Sequence, residues 1–518
     1  MTESNVHVPL KNWIAVFGSA IGAFMAVLDI QITSSSLRDI QGALGASVDE
    51  GSWISTAYLI AEIITIPLTG WLAQVFSPKL YVVFNATLFV LFSVVCGMAH
   101  DLPTMIACRA AQGFTGGILI PTCFSTILQM LPPPKIPIGM AIFAITATFA
   151  PSIGPAIGGY LTDALGWQYI FYLNIVPGVV LILMLLYSLP TSKPKLELLK
   201  RNDLPGIIFM AVGLSNLIYV LEEGQRKDWL GSDLIQRSAV LAVVFLVAFI
   251  VRELTAKFPL VNIRLLLRRN FGLGSIANVA LGVALYGSVF LQPLYLSVTQ
   301  GYSAWQIGQY MIWSGLPQLV IIPFVPMLMR KTDPRFLLCF GLAAFGSSCL
   351  LNAFMSHDYA GPQLITSMLV RAIGQPFIMV PLSAMATAGI EKEQVGSASA
   401  LFNMMRNLGG SVGTAVASTL VTQREQFHSV RLNEHITDYD LAVRNFITDA
   451  TARLHHAGAT LAVAHDQAVG VLASKIRNEA YVMAFNDAFA SVAVVLFIAV
   501  IAAMLLQKPQ GQMHAAAE

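Results

Sequence analysis

The chain has 518 residues, of which 56% are hydrophobic and 11% charged, with a formal net charge of +2. A water-soluble domain cannot hide that much apolar surface, and so small a charge suggests neither a nucleic-acid partner nor an acidic tail. Cys96, Cys108, Cys123, Cys339 and Cys349 all fall inside apolar runs, which gives no disulfide framework and no paired metal spacing.

Apolar runs of about twenty residues recur along the chain, each able to cross a hydrocarbon layer roughly 30 Å thick as a helix that satisfies its own backbone groups. Fourteen spans are predicted, at 13–35, 53–75, 80–98, 103–128, 137–161, 167–189, 204–221, 237–254, 272–298, 305–329, 335–355, 361–385, 394–422 and 481–506. The first follows a polar start with Lys11, has no small-residue cleavage site and continues into a working span, so no removed signal peptide is expected. With the N-terminus inside, the short inner loops hold Lys79, Lys135, the group Lys193, Lys195, Lys200 and Arg201, the group from Arg252 to Arg269, then Arg330, Lys331, Arg335 and Lys392. The short outer loops hold only Arg38, Arg226, Lys227 and Arg237. This asymmetry predicts cytoplasmic termini.

Residues 423–480 break the pattern of short loops, being polar and too charged to span. Val443, Phe446, Ile447, Ala450 and Leu454 follow helical spacing, as do Val469, Leu472 and Ile476, which predicts two amphipathic helices outside the membrane.

Segments of the first half recur in the second. Ile66, Pro67, Leu72, Pro78 and Lys79 reappear 256 residues later as Ile322, Pro323, Leu328, Pro334 and Arg335; SIGPAI at 152–157 is echoed by SVGTAV at 411–416, and Arg109 with Pro121 by Arg371 with Pro381. The predicted organisation is a cytoplasmic start at 1–12, a six-helix bundle at 13–190, a two-helix insert with linkers at 191–270, a second six-helix bundle at 271–507 that includes the segment 423–480, and a cytoplasmic tail at 508–518. Repeated halves put a substrate site near the midplane between them.

Several motifs resemble those of the major facilitator superfamily, and the span count places the chain in its drug and proton antiporter branch. FMAVLDIQI at 24–32 is similar to that branch's first-helix signature; GWLAQVFSPK, from Gly70 to Lys79, resembles the loop between spans two and three; RAAQG at 109–113 resembles the span-four motif, and GPAIGG at 154–159 the antiporter motif of span five. Gln74 replaces the acidic residue usual in the wider superfamily. WQYIFYLNIVPG at 167–178, FNMMRNLGGS at 402–411 and the long segment before the last span resemble the Emr-type pumps of Gram-negative bacteria. The resemblance implies an all-α polytopic membrane protein of the bacterial inner membrane that exports hydrophobic or amphipathic compounds by proton-coupled antiport. It also implies a tripartite assembly with a periplasmic adaptor and an outer-membrane channel, the adaptor meeting the segment 423–480.

Asp29, Glu62 and Arg109 fall at similar depths, each about six to nine residues from the outer end of its span. Unpaired charges in hydrocarbon are costly, so these side chains should face the bundle interior, water or one another. Asp29 is the expected proton carrier, Glu62 shares protons or meets cationic substrate, and Arg109 tunes both; the alternative is a fixed structural ion pair. Arg371 and Arg406 have no acidic residue in their own spans, and their partners stay open, Arg371 being assigned to packing. Gln31, Gln112, Gln292, Trp313, Gln375, Asn403 and Arg406 are the expected substrate-lining residues, being polar or aromatic within spans. Gly154, Gly158 and Gly159 with Pro151 and Pro155 should let span five approach a neighbour closely and bend, and Gly409, Gly410 and Gly413 should act likewise in the other half.

There is no GxxxxGK[ST] loop, no HExxH and no paired nucleophile and base, so neither ATP drive, a metal, a cofactor nor an enzyme is expected; the proton gradient is the energy source. Competing readings are a metabolite or organic-acid exporter, and a receptor or scaffold on the same fold.

Overall fold

The computed structural model describes residues 8–507 except 202, 257–258, 435 and 438–439. The first seven residues and the tail 508–518, assigned above to the cytoplasm, lie outside the described residues.

The membrane-type helices are α1 (Leu10–Ser35), α2 (Asp49–Phe76), α3 (Pro78–Gly97), α4 (Leu102–Met130), α5 (Pro133–Leu165), α6 (Tyr169–Ser188), α7 (Leu204–Glu223), α8 (Asp233–Thr255), α9 (Arg269–Val298), α10 (Ala304–Lys331), α11 (Pro334–Phe354) and α12 (Gly361–Ala386). Then come α13 (Val395–Glu434), α14 (Leu441–His456) and α15 (Leu461–Met504). Local chemistry sets many starts. Asp101, Asp203, Asp333 and Asp440 cap α4, α7, α11 and α14, each carboxylate accepting from a backbone N–H of the first turn, and Ser303 with Gln306 forms a capping box at α10.

Among the described residues, thirteen helices are long and apolar enough to cross a membrane. The fourteenth predicted span, in α13, is helical but missing from that set. Its sequence is diluted by Asn403, Arg406, Asn407, Gly409, Gly410 and Gly413, which it can carry because it packs against α2, α9 and α15 rather than against lipid. The prediction of separate outer helices also needs correction. α13 has 40 residues and α15 has 44, so at 1.5 Å per residue they run about 60 and 66 Å and leave the bundle without a break. Only α14 stands alone; it lays Val443, Phe446, Ile447, Ala450 and Leu454 against α15. The facing stripe on α15 is Ala464, Ala468, Leu472 and Ile476; Leu472 and Ile476 are as predicted, whereas Val469 is exposed and Ala468 takes its place.

α1 to α6 pack together, as do α9 to α13 with α15, while α7 and α8 form a hairpin tied by Asp203 to Arg252 at 2.8 Å. This is the all-α major facilitator architecture, two related bundles with a two-helix insert. Helices alternate in direction, so one face carries the start of α1 and the end of α15, here the terminal face; α14 marks the opposite, hairpin face.

The halves meet at several contacts, including two set by glycine. α5 runs along α10, where a Cβ on Gly159 would lie 2.8 Å from the Ala304 backbone, and α2 meets α13 near the terminal face, where a Cβ on Gly70 would lie 2.9 Å from the Gly396 backbone. Only glycine allows either approach. The turn between α2 and α3 is the single residue Ser77, at φ 75°, a conformation unfavourable for a residue with a Cβ. Lys79 just beyond it donates to Thr191 Oγ1 at 3.4 Å, and Gln74 is exposed.

Candidate functional site

A cavity of about 760 Å³ lies between the halves. Toward the terminal face it is closed by the Gly70 contact, by the Ser399 hydroxyl donating to the Pro121 carbonyl at 2.7 Å and by Phe124 against Phe402, ring centres 5.5 Å apart. Its lining continues to the hairpin face through Arg38, Asp39, Asp163, Tyr302 and Ser303, so it opens there.

The floor of the cavity backs onto a buried ion pair. Arg109 Nη1 donates to Asp29 Oδ2 at 2.6 Å, with both side chains 1% exposed. Gln112, one turn along α4 from Arg109, donates to Asp29 Oδ1 at 3.1 Å and accepts from Arg109 at 2.8 Å. Asn174 of α6 donates to Asp29 Oδ1 at 2.8 Å and to Ser93 Oγ at 3.0 Å, and the Ser93 hydroxyl continues to the Phe171 carbonyl at 2.8 Å. The guanidinium lies 4.3 Å from the centre of the Tyr58 ring and 5.7 Å from that of Phe171, and its Nε donates to the Ile54 carbonyl at 3.3 Å. Side chains from α4 and α6 thus bind the α1 carboxylate directly, and Tyr58 of α2 and Ser93 of α3 support those partners. Charge-assisted bonds of this kind hold a geometry only while the charge is present.

Arg109 itself lines the cavity and Asp29 sits behind it. Glu62 also lines the cavity, on α2, but it has not joined the ion pair: the bond found for it is from Asn407 Nδ2 of α13, at 3.4 Å to Oε1. Asp29, Glu62 and Arg109 thus form a pair and a neighbour rather than a triad.

The expected lining residues divide sharply. Gln31 lines the cavity. Gln112 turns inward to the ion pair, and Gln292 accepts from Arg371 Nη1 at 3.1 Å. Gln375 accepts from Gln318 at 2.7 Å, and Asn403 donates to the Ser399 carbonyl at 2.8 Å; both are fully buried. Arg406 lies beneath the cavity with its guanidinium 5.5 Å from the Phe143 ring centre. Trp313 is 43% exposed on the outside of α10, in a 3-10 turn between two short helices. None of these six forms part of the wall: five are buried away from it, and the Trp313 ring faces outward.

On α5, Pro155 lines the cavity, Pro151 is buried, and Gly154 and Gly158 sit against Gln31, Ser35 and Ile32 of α1. Gly409 and Gly413 press in the same way on the backbone of α9 at Val279 and Val283, and Gly410 on the Tyr286 ring. The two glycine sets are therefore contact surfaces.

Sequence reasoning missed the insert's part in the wall. Ile218, Leu221, Glu222 and Glu223 of α7 line the cavity near the hairpin face. Glu223, 1% exposed, accepts from the Ser52 hydroxyl at 2.8 Å and from the Thr56 hydroxyl at 3.1 Å; Tyr219 stacks on Trp53, ring centres 5.5 Å apart, and Arg226 reaches Asp49 at 3.1 Å. The signal was the adjacent pair Glu222 and Glu223 closing an otherwise apolar span. Among the described residues no cluster of His, Cys, Asp and Glu could hold a metal ion.

Comparison with known proteins agrees with this architecture. The chain is 31% identical over 498 residues to the colistin resistance protein EmrB of Acinetobacter baumannii, covering 96% of each, and 30% identical over 483 residues to the multidrug export protein EmrB of Escherichia coli, covering 92% of this chain and 91% of that one. It is 30% identical over 511 residues to the fatty acid resistance protein FarB of Neisseria gonorrhoeae, covering 97% and 98%. Among solved structures, a POT family transporter in complex with 5-aminolevulinic acid superposes with a TM-score of 0.59 at 16% identity, covering 95% of each chain, and the human organic anion transporter MFSD10 with 0.56 at 12%, covering 96% and 99%. Residues 19–414 match the Major Facilitator Superfamily, and the chain, a multi-pass membrane protein, belongs to that family of transporters.

Proposed function

We infer that this protein exports hydrophobic or amphipathic small molecules in exchange for protons. The observation that carries the reading is the Asp29 and Arg109 pair, buried directly behind a drug-sized cavity with Glu62 on the same wall. Cavities of roughly 300 to 1,000 Å³ suit drug-sized ligands, and the wall of this one mixes aliphatic and aromatic side chains with hydroxyls and with charges that include Glu62, Arg109, Glu222 and Glu223, which suits amphipathic cargo. The relatives named for multidrug export, colistin resistance and fatty acid resistance support the substrate range.

Coupling follows from competition for Arg109. While Asp29 is ionised, the guanidinium is held against it. A proton on Asp29 removes that attraction and frees Arg109 toward the cavity, where Glu62 is the nearby carboxylate. Cargo that displaces Arg109 or engages Glu62 shifts the balance back, so proton and cargo occupy the site in turn. The outward-opening cavity is then the state that releases cargo and takes up protons. In this reading the terminal face is cytoplasmic, the hairpin face is periplasmic in a bacterial inner membrane, and α14 with the extensions of α13 and α15 is the contact for a periplasmic adaptor that leads to an outer-membrane channel.

The test is proton release from the purified protein in weakly buffered micelles on adding a lipophilic cationic dye. Wild-type protein should release protons on binding, Asp29→Asn should bind without release, and Glu62→Gln should lose about tenfold or more in affinity for the cation, the size of one lost charge-assisted contact. Binding with no release from wild-type protein at any pH between 5 and 9 refutes the coupling, as does undiminished release from Asp29→Asn.

A further inference from the structure

The repeat matches Arg109 of the first half with Arg371 of the second but sets a neutral residue opposite Asp29. Arg109 and Arg371 are 262 residues apart, on α4 and α12; Asp29 and Gln292 are 263 apart, on α1 and α9. The same crossing of first and fourth helices therefore recurs. In the first half Arg109 meets a carboxylate at 2.6 Å, and in the second Arg371 Nη1 meets the Gln292 amide oxygen at 3.1 Å.

Arg371 is 1% exposed and remains a full positive charge, since a guanidinium does not lose its proton in proteins. Its remaining compensation is the Phe345 ring, centred 5.3 Å away, a weak substitute for a counter-ion. Among the described residues its Nε and Nη2 find no hydrogen-bond partner, and neither does Nε2 of Gln375, one turn further along α12. Gln375 is tied through its oxygen to Gln318 Nε2, and Gln318 Oε1 is the unpartnered acceptor of the group. Three buried donors against one acceptor, around a fixed positive charge, match an anion better than a water molecule, which needs partners of both kinds. None of these four side chains lines the export cavity, so the site is separate from the cargo's.

We propose that a small monovalent anion, chloride being the probe, binds at Arg371 among α9, α10, α11 and α12 and supplies to the second half the negative charge that Asp29 supplies to the first. The anion is structural: it holds the α9 and α12 crossing together while the halves rock.

The test compares thermal unfolding of the purified full chain in sodium chloride and in sodium gluconate at equal ionic strength, with chloride-35 NMR line broadening as the direct readout. Wild-type protein should melt about 2 °C or more higher in chloride and should broaden the chloride line, bromide displacing it. Gln292→Glu places a carboxylate where the amide oxygen now sits and should melt at the same temperature in both salts without broadening; Arg371→Gln should also lose the broadening. Equal melting of wild-type protein in the two salts without broadening overturns the proposal, and so does a Gln292→Glu variant that keeps the full chloride response. Should neither variant fold, wild-type broadening that is absent, or that bromide fails to displace, decides against it.

Discussion

Replacing Asp29 by Asn keeps the side-chain shape and removes only the charge, and the surrounding geometry sets the cost. Three donors converge on this carboxylate: Arg109 Nη1 on Oδ2, and the amides of Gln112 and Asn174 on Oδ1. An asparagine offers one acceptor and one donating NH2. If its oxygen faces Arg109, its NH2 meets the two amides; if its oxygen faces the amides, its NH2 meets the guanidinium. Either orientation sets donor against donor and leaves Arg109 buried without a counter-ion. Removing one partner of a buried pair costs about 3 to 5 kcal/mol, and both side chains here are 1% exposed, so the full range applies. Asp29→Asn should therefore lose about 3 kcal/mol or more of unfolding free energy. Adding Arg109→Gln should restore part of the loss by removing the stranded charge. Denaturant unfolding in micelles, followed by tryptophan fluorescence, measures all three variants in one cycle. A single variant within about 1 kcal/mol of wild type, together with a double variant no more stable than either single one, would show that the pair carries no such energy and that the proposed hold on Arg109 is wrong.

The other perturbations act on packing. Gly70→Leu forces α2 away from Gly396 and should open the terminal face, so that a cysteine at Ser399, fully buried in the wild type, reacts with a water-soluble maleimide; unchanged labelling would mean that the contact does not close the cavity. Glu223→Ala strands the Thr56 hydroxyl, while that of Ser52 keeps the Asp49 carbonyl at 2.7 Å, and should cost about 1 to 3 kcal/mol, with Glu223→Gln costing less because its amide oxygen still accepts. Equal losses for the two variants, measured by the same unfolding assay, would remove hydrogen bonding as the cause.

The spans were legible because lipid demands a long apolar run from each helix that meets it, and thirteen of the predicted spans fall on helices that satisfy this without help from position in the chain. The span in α13 was legible from its apolar run with the rest, although its composition is more polar than theirs, and the repeat, in which SVGTAV echoes SIGPAI, agrees with it. The Asp29 and Arg109 meeting could be anticipated from depth, as a charge in hydrocarbon needs a partner and few were on offer. The lining could not. A glutamine inside a span says that its amide is bonded to something, and Gln112, Gln292 and Gln375 bond to other buried residues where Gln31 faces the cavity. Trp313 shows the same ambiguity for an aromatic ring, which suits a lipid-facing surface as well as a pocket. The docking of α7 left almost no trace either, because an insert helix needs an apolar surface whether it faces lipid or the bundle.

That docking has a mechanical consequence. α2 and α13 touch at Gly70 and Gly396 and are bridged midway by Glu62 and Asn407, and nearer the hairpin face α7 stands beside both. It thereby completes a wall that lets the cavity face water without opening sideways to lipid. Polar bonds tie it to α2, where Glu223 takes two hydroxyls, Arg226 reaches Asp49, and Tyr219 stacks on Trp53, and it packs more extensively on α2 than on α13. Directional bonds and the larger contact both favour α2, so when the halves rock α7 should travel with the first half, taking with it α8, which packs mainly on α7. A short cross-link between cysteines at Trp53 and Tyr219 should then leave dye export in proteoliposomes intact, while a cross-link of α7 to α13 should stop it. Export that survives the second bridge and fails with the first would assign the insert to the other half.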